Sequence, residues 1–290
     1  MNIRDYIVDI ERRRGSRLLV FAASNLETDL LPALYDTLRE IGRTDRLDVL
    51  LHCHGGEVTA ARAIALLLHP FTGHLAFIVP ERCTSSGTIL ALSGHEIVAG
   101  PAALFSPVDP LLQGPSSGAD DSLGAISAQD VRLFGAMSRD WFGLPEGEAG
   151  PKALAVLCDN VFPTTLTSFY RSTLEVEAVC LELLSLHMGE GSEAAKKAIV
   201  GQLLYGHHSH GFTLMRGDLA ALGLPLRSEP GTEDAAWEVA RVLRQSVGGG
   251  ARRAVEDDWT DVLLATRSGC RRRRRSREGI GPIWESGDVG

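Results

Sequence analysis

Two short segments hold the residues best suited to chemistry. In the first, Arg82-Cys83-Thr84-Ser85-Ser86-Gly87-Thr88 runs into the apolar stretch Ile89-Leu90-Ala91-Leu92. A serine at such a junction sits at the positive end of a helix dipole among small neighbours, which suits covalent catalysis by its hydroxyl. The same Thr-Ser-Ser run also makes an ordinary helix N-cap, so this segment alone supports both readings. In the second, His54-Gly55-Gly56-Glu57-Val58 ends one apolar run and opens another. Glycines there permit close backbone approach, and free amides at a helix start favour an anion or a developing oxyanion; taken alone, the pair reads as a plain tight turn.

A serine hydroxyl is a weak nucleophile until a base reaches it directly or through one water. Only three lysines exist, Lys152, Lys196 and Lys197. The last two fall in a Glu/Ala-rich helix expected to be solvent-exposed, where little would depress an amine pKa. Asp109, within Ser106-Pro107-Val108-Asp109-Pro110, suits orienting a base and suits forming a turn. His207, His208 and His210 cluster, and His52 and His54 share one face of a strand. Neither group has a cysteine or carboxylate at a familiar ligand spacing, so no metal and no cofactor is expected.

The elements that must position these residues follow from hydrophobic period. Arg17 to Ala23, Leu47 to Cys53 and Leu75 to Val79 are short apolar runs bounded by charge and glycine, hence buried strands. Leu31, Leu34, Leu38 and Ile41 recur at helical spacing between the first two, and Val58 to His69 does likewise between the next. Strand, helix, strand, helix, strand at these lengths implies right-handed crossovers and an α/β fold built on a parallel sheet of βαβ units. Both candidate segments then fall at one sheet edge, where ligands of open α/β sheets bind.

Ile97-Val98 and Ala103 to Phe105 read as further short strands, residues 114–125 as a turn-rich loop, and most of 127–205 as helix broken at Pro163. The expected organisation is one domain over residues 1–230, a helix over 231–247 and a disordered, Arg-rich tail over 248–290, with Arg271 to Arg275 solvated.

Composition fits an ordinary globular chain: 290 residues, 44% hydrophobic and 23% charged, with a formal charge of −8. Residues 251–290 carry nine arginines against seven acids, so the body is more acidic still and a poor partner for nucleic acid. The arginine tail is the one element that would suit such a partner. Five scattered cysteines without a CxxC pair read as reduced thiols. A charged N-terminus and no apolar run of about 18 residues point to a cytoplasmic protein without a membrane span.

The stretches SRLLVFAASN, DVLLHCHGGEV, TSSGTILALSGHEIV, SPVDP and SHGFTLMRGDLAALGLPL together resemble the serine dehydrogenase proteinase family of the Clp-protease/crotonase superfamily, over roughly residues 10–230. The family's Met-Ser-Ala-Gly-Thr falls on Thr84 to Thr88, which implies Ser85 as nucleophile and the Ser86 amide as an oxyanion donor. Its Pro-Gly-Gly falls on His54-Gly55-Gly56, which implies Gly56 as the second donor, with histidine replacing proline. Its Gly-Pro-Val-Asp-Pro falls on Ser106 to Pro110, and its Thr-His-Asp-Tyr-Pro-Ile on Ser209 to Leu214, which makes His210 the preferred base and Asp109 its orienter. The superfamily's habit of assembling implies a homo-oligomer.

The leading expectation is therefore a serine peptidase cleaving peptides or unfolded protein through an acyl-enzyme on Ser85. The alternatives are a catalytically inactive oligomeric interaction module of the same fold and a crotonase-type enzyme acting on coenzyme A thioesters, which would share the two-amide oxyanion hole.

Overall fold

The computed structural model describes residues 3–113, 125–248, 258–276 and 282–289. The turn-rich segment expected at 114–125 falls, apart from Ala125, outside them. The chain begins α1 (Ile3–Arg14), β1 (Arg17–Ala23), α2 (Leu31–Ile41), β2 (Thr44–Cys53), α3 (Val58–Leu68), β3 (Thr72–Val79), α4 (Ser86–Ala91) and β4 (Glu96–Ala99). A two-stranded ribbon, β5 (Leu111–Gln113) and β6 (Ala125–Ser127), leads into α5 (Ala128–Asp140), α6 (Glu146–Asn160), α7 (Pro163–Ser185), α8 (Glu193–Tyr205) and α9 (Arg216–Ala221). The chain then runs through β7 (Leu226–Arg227), α10 (Pro230–Ser246), β8 (Trp259–Thr266), β9 (Gly269–Arg275) and β10 (Ile283–Gly287).

The main sheet has the order β10-β9-β8-β1-β2-β3-β4-β7. Strands β1, β2, β3, β4 and β7 are parallel, and β8, β9 and β10 continue the sheet antiparallel from β1. The fold is α/β as expected, but the sheet is mixed rather than wholly parallel. Alternation along β1 sends Leu19, Phe21 and Ala23 into a core covered by α2, α3, α7 and α8, and Leu18, Val20 and Ala22 into a second core beneath α1 and α10. Helix α10 lies where a carboxyl-terminal helix is expected.

The tail expectation is corrected. Residues 259–275, read from sequence as part of a disordered basic tail, form β8 and β9, and β8 pairs with β1 from Val20↔Ala265 to Ala23↔Val262. Arginines at 271, 273 and 275 do not repel into solvent because carboxylates from the amino-terminal part of the chain meet them: Arg271 pairs with Glu40, and Arg273 with Glu27 and Asp29. Ala103 to Phe105 is another correction, forming isolated bridges from Leu104 to Arg82 and from Phe105 to Leu214 rather than a strand. Proline at 163 opens α7 at its first position, where no amide donor is needed. Lys196, expected exposed, is buried, with Nζ donating to Ser185 Oγ at 2.9 Å and paired with Glu193.

Candidate functional site

Both candidate segments leave the carboxyl ends of neighbouring strands, β2 and β3, and the backbone stitches them together. Cys53 N–H donates to Arg82 O at 2.8 Å, and Thr84 N–H to Cys53 O at 3.1 Å. Thr84 Oγ1 donates to His54 O at 3.0 Å and Ser86 Oγ to Gly56 O at 2.6 Å, so side chains as well as backbone tie the serine turn to the glycine turn.

Ser85 has φ 54° and ψ −121°, and it is the only non-glycine residue with positive φ among the described residues. An L-residue adopts that backbone only when its surroundings impose it, and such strain concentrates at functional turns between a strand and a helix. Here the Ser85 amide is held by Ser106 Oγ at 2.7 Å, and α4 starts at the next residue. The one sequence signal for this role of Ser106 is a serine where the resembled family has glycine before Pro-Val-Asp-Pro.

Two glycines are required by contact. At Gly55, φ 135°, a side chain would come within 3.2 Å of Ser85 Cβ. At Gly56, φ 128°, it would come within 2.3 Å of both Leu26 N and Leu26 O. Leu26 grips the turn from that side, its N–H donating to Gly55 O and its O accepting from Glu57 N–H, each at 2.8 Å. Among the described residues neither the Gly56 amide nor the Ser86 amide donates to a protein acceptor, and both residues line the cleft beside Ser85.

That cleft, about 630 Å³, brings together all five residues singled out from sequence: Gly56, Ser85, Ser86, Asp109 and His210. His210 Nδ1 donates to Asp109 Oδ1 at 3.0 Å across 101 residues of sequence. Asp109 is buried, which by itself would raise its pKa, but hydrogen bonds from His210 and Ser127 outweigh burial and hold the carboxyl below its ordinary value. The Ser127 hydroxyl, which also caps α5 by accepting from Gln129 N–H, is a second supporting group that sequence reasoning missed. With Nδ1 engaged, Nε2 of His210 is the nitrogen left to exchange a proton. No hydrogen bond joins His210 to Ser85 in this structure.

Residues 31–130 match the family of ClpP-like SDH-type serine proteinases. The match contains Gly56, Ser85, Ser86 and Asp109, while His210 lies beyond it. Two uncharacterized proteins of Methanocaldococcus jannaschii are similar to the chain, one 34% identical over 101 residues and the other 32% identical over 117. These matches cover 33% and 36% of this chain and span only 35% and 40% of those relatives. Among solved structures the chain is similar to a membrane-bound stomatin-specific protease, at 12% identity over 81% of this chain and 84% of that one, with a TM-score of 0.43. It is also similar to the ClpP protease catalytic domain from Plasmodium falciparum, at 8% identity over 78% and 92% of the two chains, with a TM-score of 0.41.

The other histidines take different parts. His52 and His54 have ring centroids 5.5 Å apart. Burial, with His54, Arg82 and Arg244 nearby, pushes the His52 pKa down to about 4. His207 stacks on Phe212 at 4.5 Å. Among the described residues no group of three His, Cys, Asp or Glu side chains is arranged to hold a metal ion, and no helix is long and apolar enough to cross a membrane.

Proposed function

We propose that the protein is a serine peptidase in which Ser85 is the nucleophile, His210 the general base, Asp109 its orienter, and the Gly56 and Ser86 amides the oxyanion hole. The observation that carries this is the imposed backbone of Ser85, which turns one small hydroxyl residue into the cleft that also holds the His210–Asp109 pair.

In the proposed reaction Ser85 Oγ attacks the carbonyl carbon of a peptide bond while His210 Nε2 accepts the hydroxyl proton. The carbonyl oxygen becomes an oxyanion between the Gly56 and Ser86 amides, which need no reorientation to receive it. Collapse breaks the C–N bond, and His210 returns its proton to the leaving amine. Water, deprotonated by the same nitrogen, then releases the acid and regenerates Ser85. Asp109 stays ionised throughout, fixing the His210 tautomer and balancing its transient charge. Substrate binding must draw His210 and Ser85 into hydrogen-bond reach, since catalytic contacts of this kind tighten in the complex.

Intact mass after treatment with a fluorophosphonate probe tests this. Wild type is expected to gain one adduct; Ser85→Ala none; His210→Ala and Asp109→Asn an adduct formed about 10³-fold more slowly or worse. A folded wild type that stays unlabelled between about pH 6 and 9 would favour an inactive interaction module, the reading to which the missing Ser85–His210 hydrogen bond lends support.

We further propose a cytoplasmic homo-oligomer of peptide-cleaving subunits. Trp141, Phe142, Phe162 and Tyr170, all on or beside α5 to α7, expose large apolar surfaces that a second copy would cover. Light scattering is expected to give a mass that is a multiple of 31.2 kDa; a monomer at micromolar concentration would rule the assembly out.

A further inference from the structure

We propose that Arg273, on the carboxyl-terminal hairpin outside the family match, is a positioning residue that sets the oxyanion-binding amide of Gly56 through the loop 24–29; this rests on the Ser85 reading above. Arg273 is fully buried and is the largest fully buried side chain among the described residues. Its guanidinium makes a forked contact with Asp261, Nε to Oδ1 at 3.0 Å and Nη2 to Oδ2 at 2.7 Å. The remaining donors reach the loop after β1: Nη1 to Asp29 Oδ1 at 2.7 Å and Nη2 to Glu27 Oε2 at 2.8 Å. Arg275 repeats the pattern on Asp261 and Glu27.

Asp261 is the extra residue of a bulge, between the pairs Thr260↔Arg274 and Val262↔Arg273. The bulge aims its carboxylate at both guanidiniums, while its backbone oxygen accepts from Ser24 N–H at 2.8 Å. Loop 24–29 is thus held at Ser24 by Asp261 and at Glu27 and Asp29 by Arg273. Between those points lies Leu26, whose N–H and O grip Gly55 and Glu57 on either side of Gly56. No side chain intervenes between Leu26 and Gly56, so any shift of the loop is a shift of the Gly56 amide.

Charge gives a second reason. Glu27 lines the cleft. Without its guanidinium partners it would present a negative charge near the position where the oxyanion forms, opposing it. Arginine suits the role because its planar guanidinium supplies the four directed contacts seen here, two of them as a fork on Asp261, which is one more than the three donors of a lysine ammonium.

The test compares Arg273→Met, Arg273→Lys and Arg273→Met/Glu27→Gln, by fluorophosphonate labelling rate and by hydrogen exchange of segments 24–29 and 54–58. Arg273→Met is expected to slow labelling about 10- to 100-fold, the range a misplacement of about 1 Å produces, and to speed exchange in both segments while β2 and β3 stay protected. Arg273→Lys should fall between. Once Arg273 is gone Glu27 keeps only Arg275, so removing its under-neutralised charge with Glu27→Gln should recover part of the labelling rate, a rescue that a merely structural arginine would not show. A folded Arg273→Met that labels and exchanges like wild type overturns the proposal. If Arg273→Met fails to fold, Arg273→Lys and Asp29→Asn carry the test, and wild-type rates in both overturn it. If wild type itself does not label, the Ser85 reading fails while the exchange measurement still decides whether Arg273 holds Gly56.

Discussion

Two arginines are buried among carboxylates at different parts of the same sheet. Arg14, at the end of α1, meets Asp48 through Nε at 2.6 Å and Glu96 through Nη2 at 2.7 Å, with Glu229 as a third partner. Arg273 meets Asp261, Glu27 and Asp29. The chemistry of the two is nearly the same; what differs is what their partners are attached to. The partners of Arg14 sit on β2, at the start of β4, and at the entry to α10, so that arginine ties α1 and α10 to the sheet. Two partners of Arg273 sit on a loop whose backbone touches the glycine turn of the cleft. A buried ion pair contributes little net stability by itself, but removing one member strands the other, so each cluster fixes geometry more than it adds energy. One fixes the frame, the other the cleft.

The sharpest way to break this comparison is Arg14→Met. It leaves Asp48 and Glu96 with the partly exposed Arg46 as their nearest remaining cation and is expected to cost about 3 kcal/mol of unfolding free energy, the low end of the penalty for breaking a buried pair. Chemical denaturation checks the loss, and the labelling rate per folded molecule should stay within about twofold of wild type, since Arg14 touches no residue of the cleft. If Arg14→Met slows labelling as strongly as Arg273→Met does, the two clusters are not separable and the division fails.

The frame was far more legible in the sequence than the second cluster was. Strands β1 to β3 and helices α2 to α4 follow from local hydrophobic period, and Ser85 and Gly56 fall at strand-to-helix junctions that any parallel sheet collects on one edge. The pairing of His210 with Asp109 came only through resemblance, because 101 residues separate them and nothing local couples them. The run Arg271 to Arg275 was misread for a related reason. Alternation along β9 sends 271, 273 and 275 toward carboxylates more than 230 residues earlier, a complementarity that a basic run does not announce. Lys196 is a smaller case: a Glu/Ala-rich helix reads as exposed, but Ser185 on α7 supplies the acceptor that makes burial tolerable.

A more gradual effect separates the two ends by pH. Burial, together with His54, Arg82 and Arg244, holds His52 near pKa 4 at the carboxyl end of β2, and its buried Nδ1 has no hydrogen-bond partner among the described residues. An unfolded histidine titrates near 6.5, so between about 6.5 and 4 the unfolded chain binds a proton that the folded protein refuses. Stability from this site is therefore complete above pH 6.5 and falls as the pH drops toward 4, by roughly 3 kcal/mol over the whole window. His69, His74 and His187 are also lowered by burial and add to the slope, so the site is isolated by comparison with His52→Leu, which removes the titrating ring and its orphaned nitrogen together. The variant is expected to match or exceed wild type at pH 8 and to gain steadily on it down to pH 4.5, measured as urea midpoints at fixed ionic strength. Parallel curves would show that His52 takes up its proton without unfolding, and would remove acid sensitivity from the features that distinguish the cleft end from the arginine-braced frame.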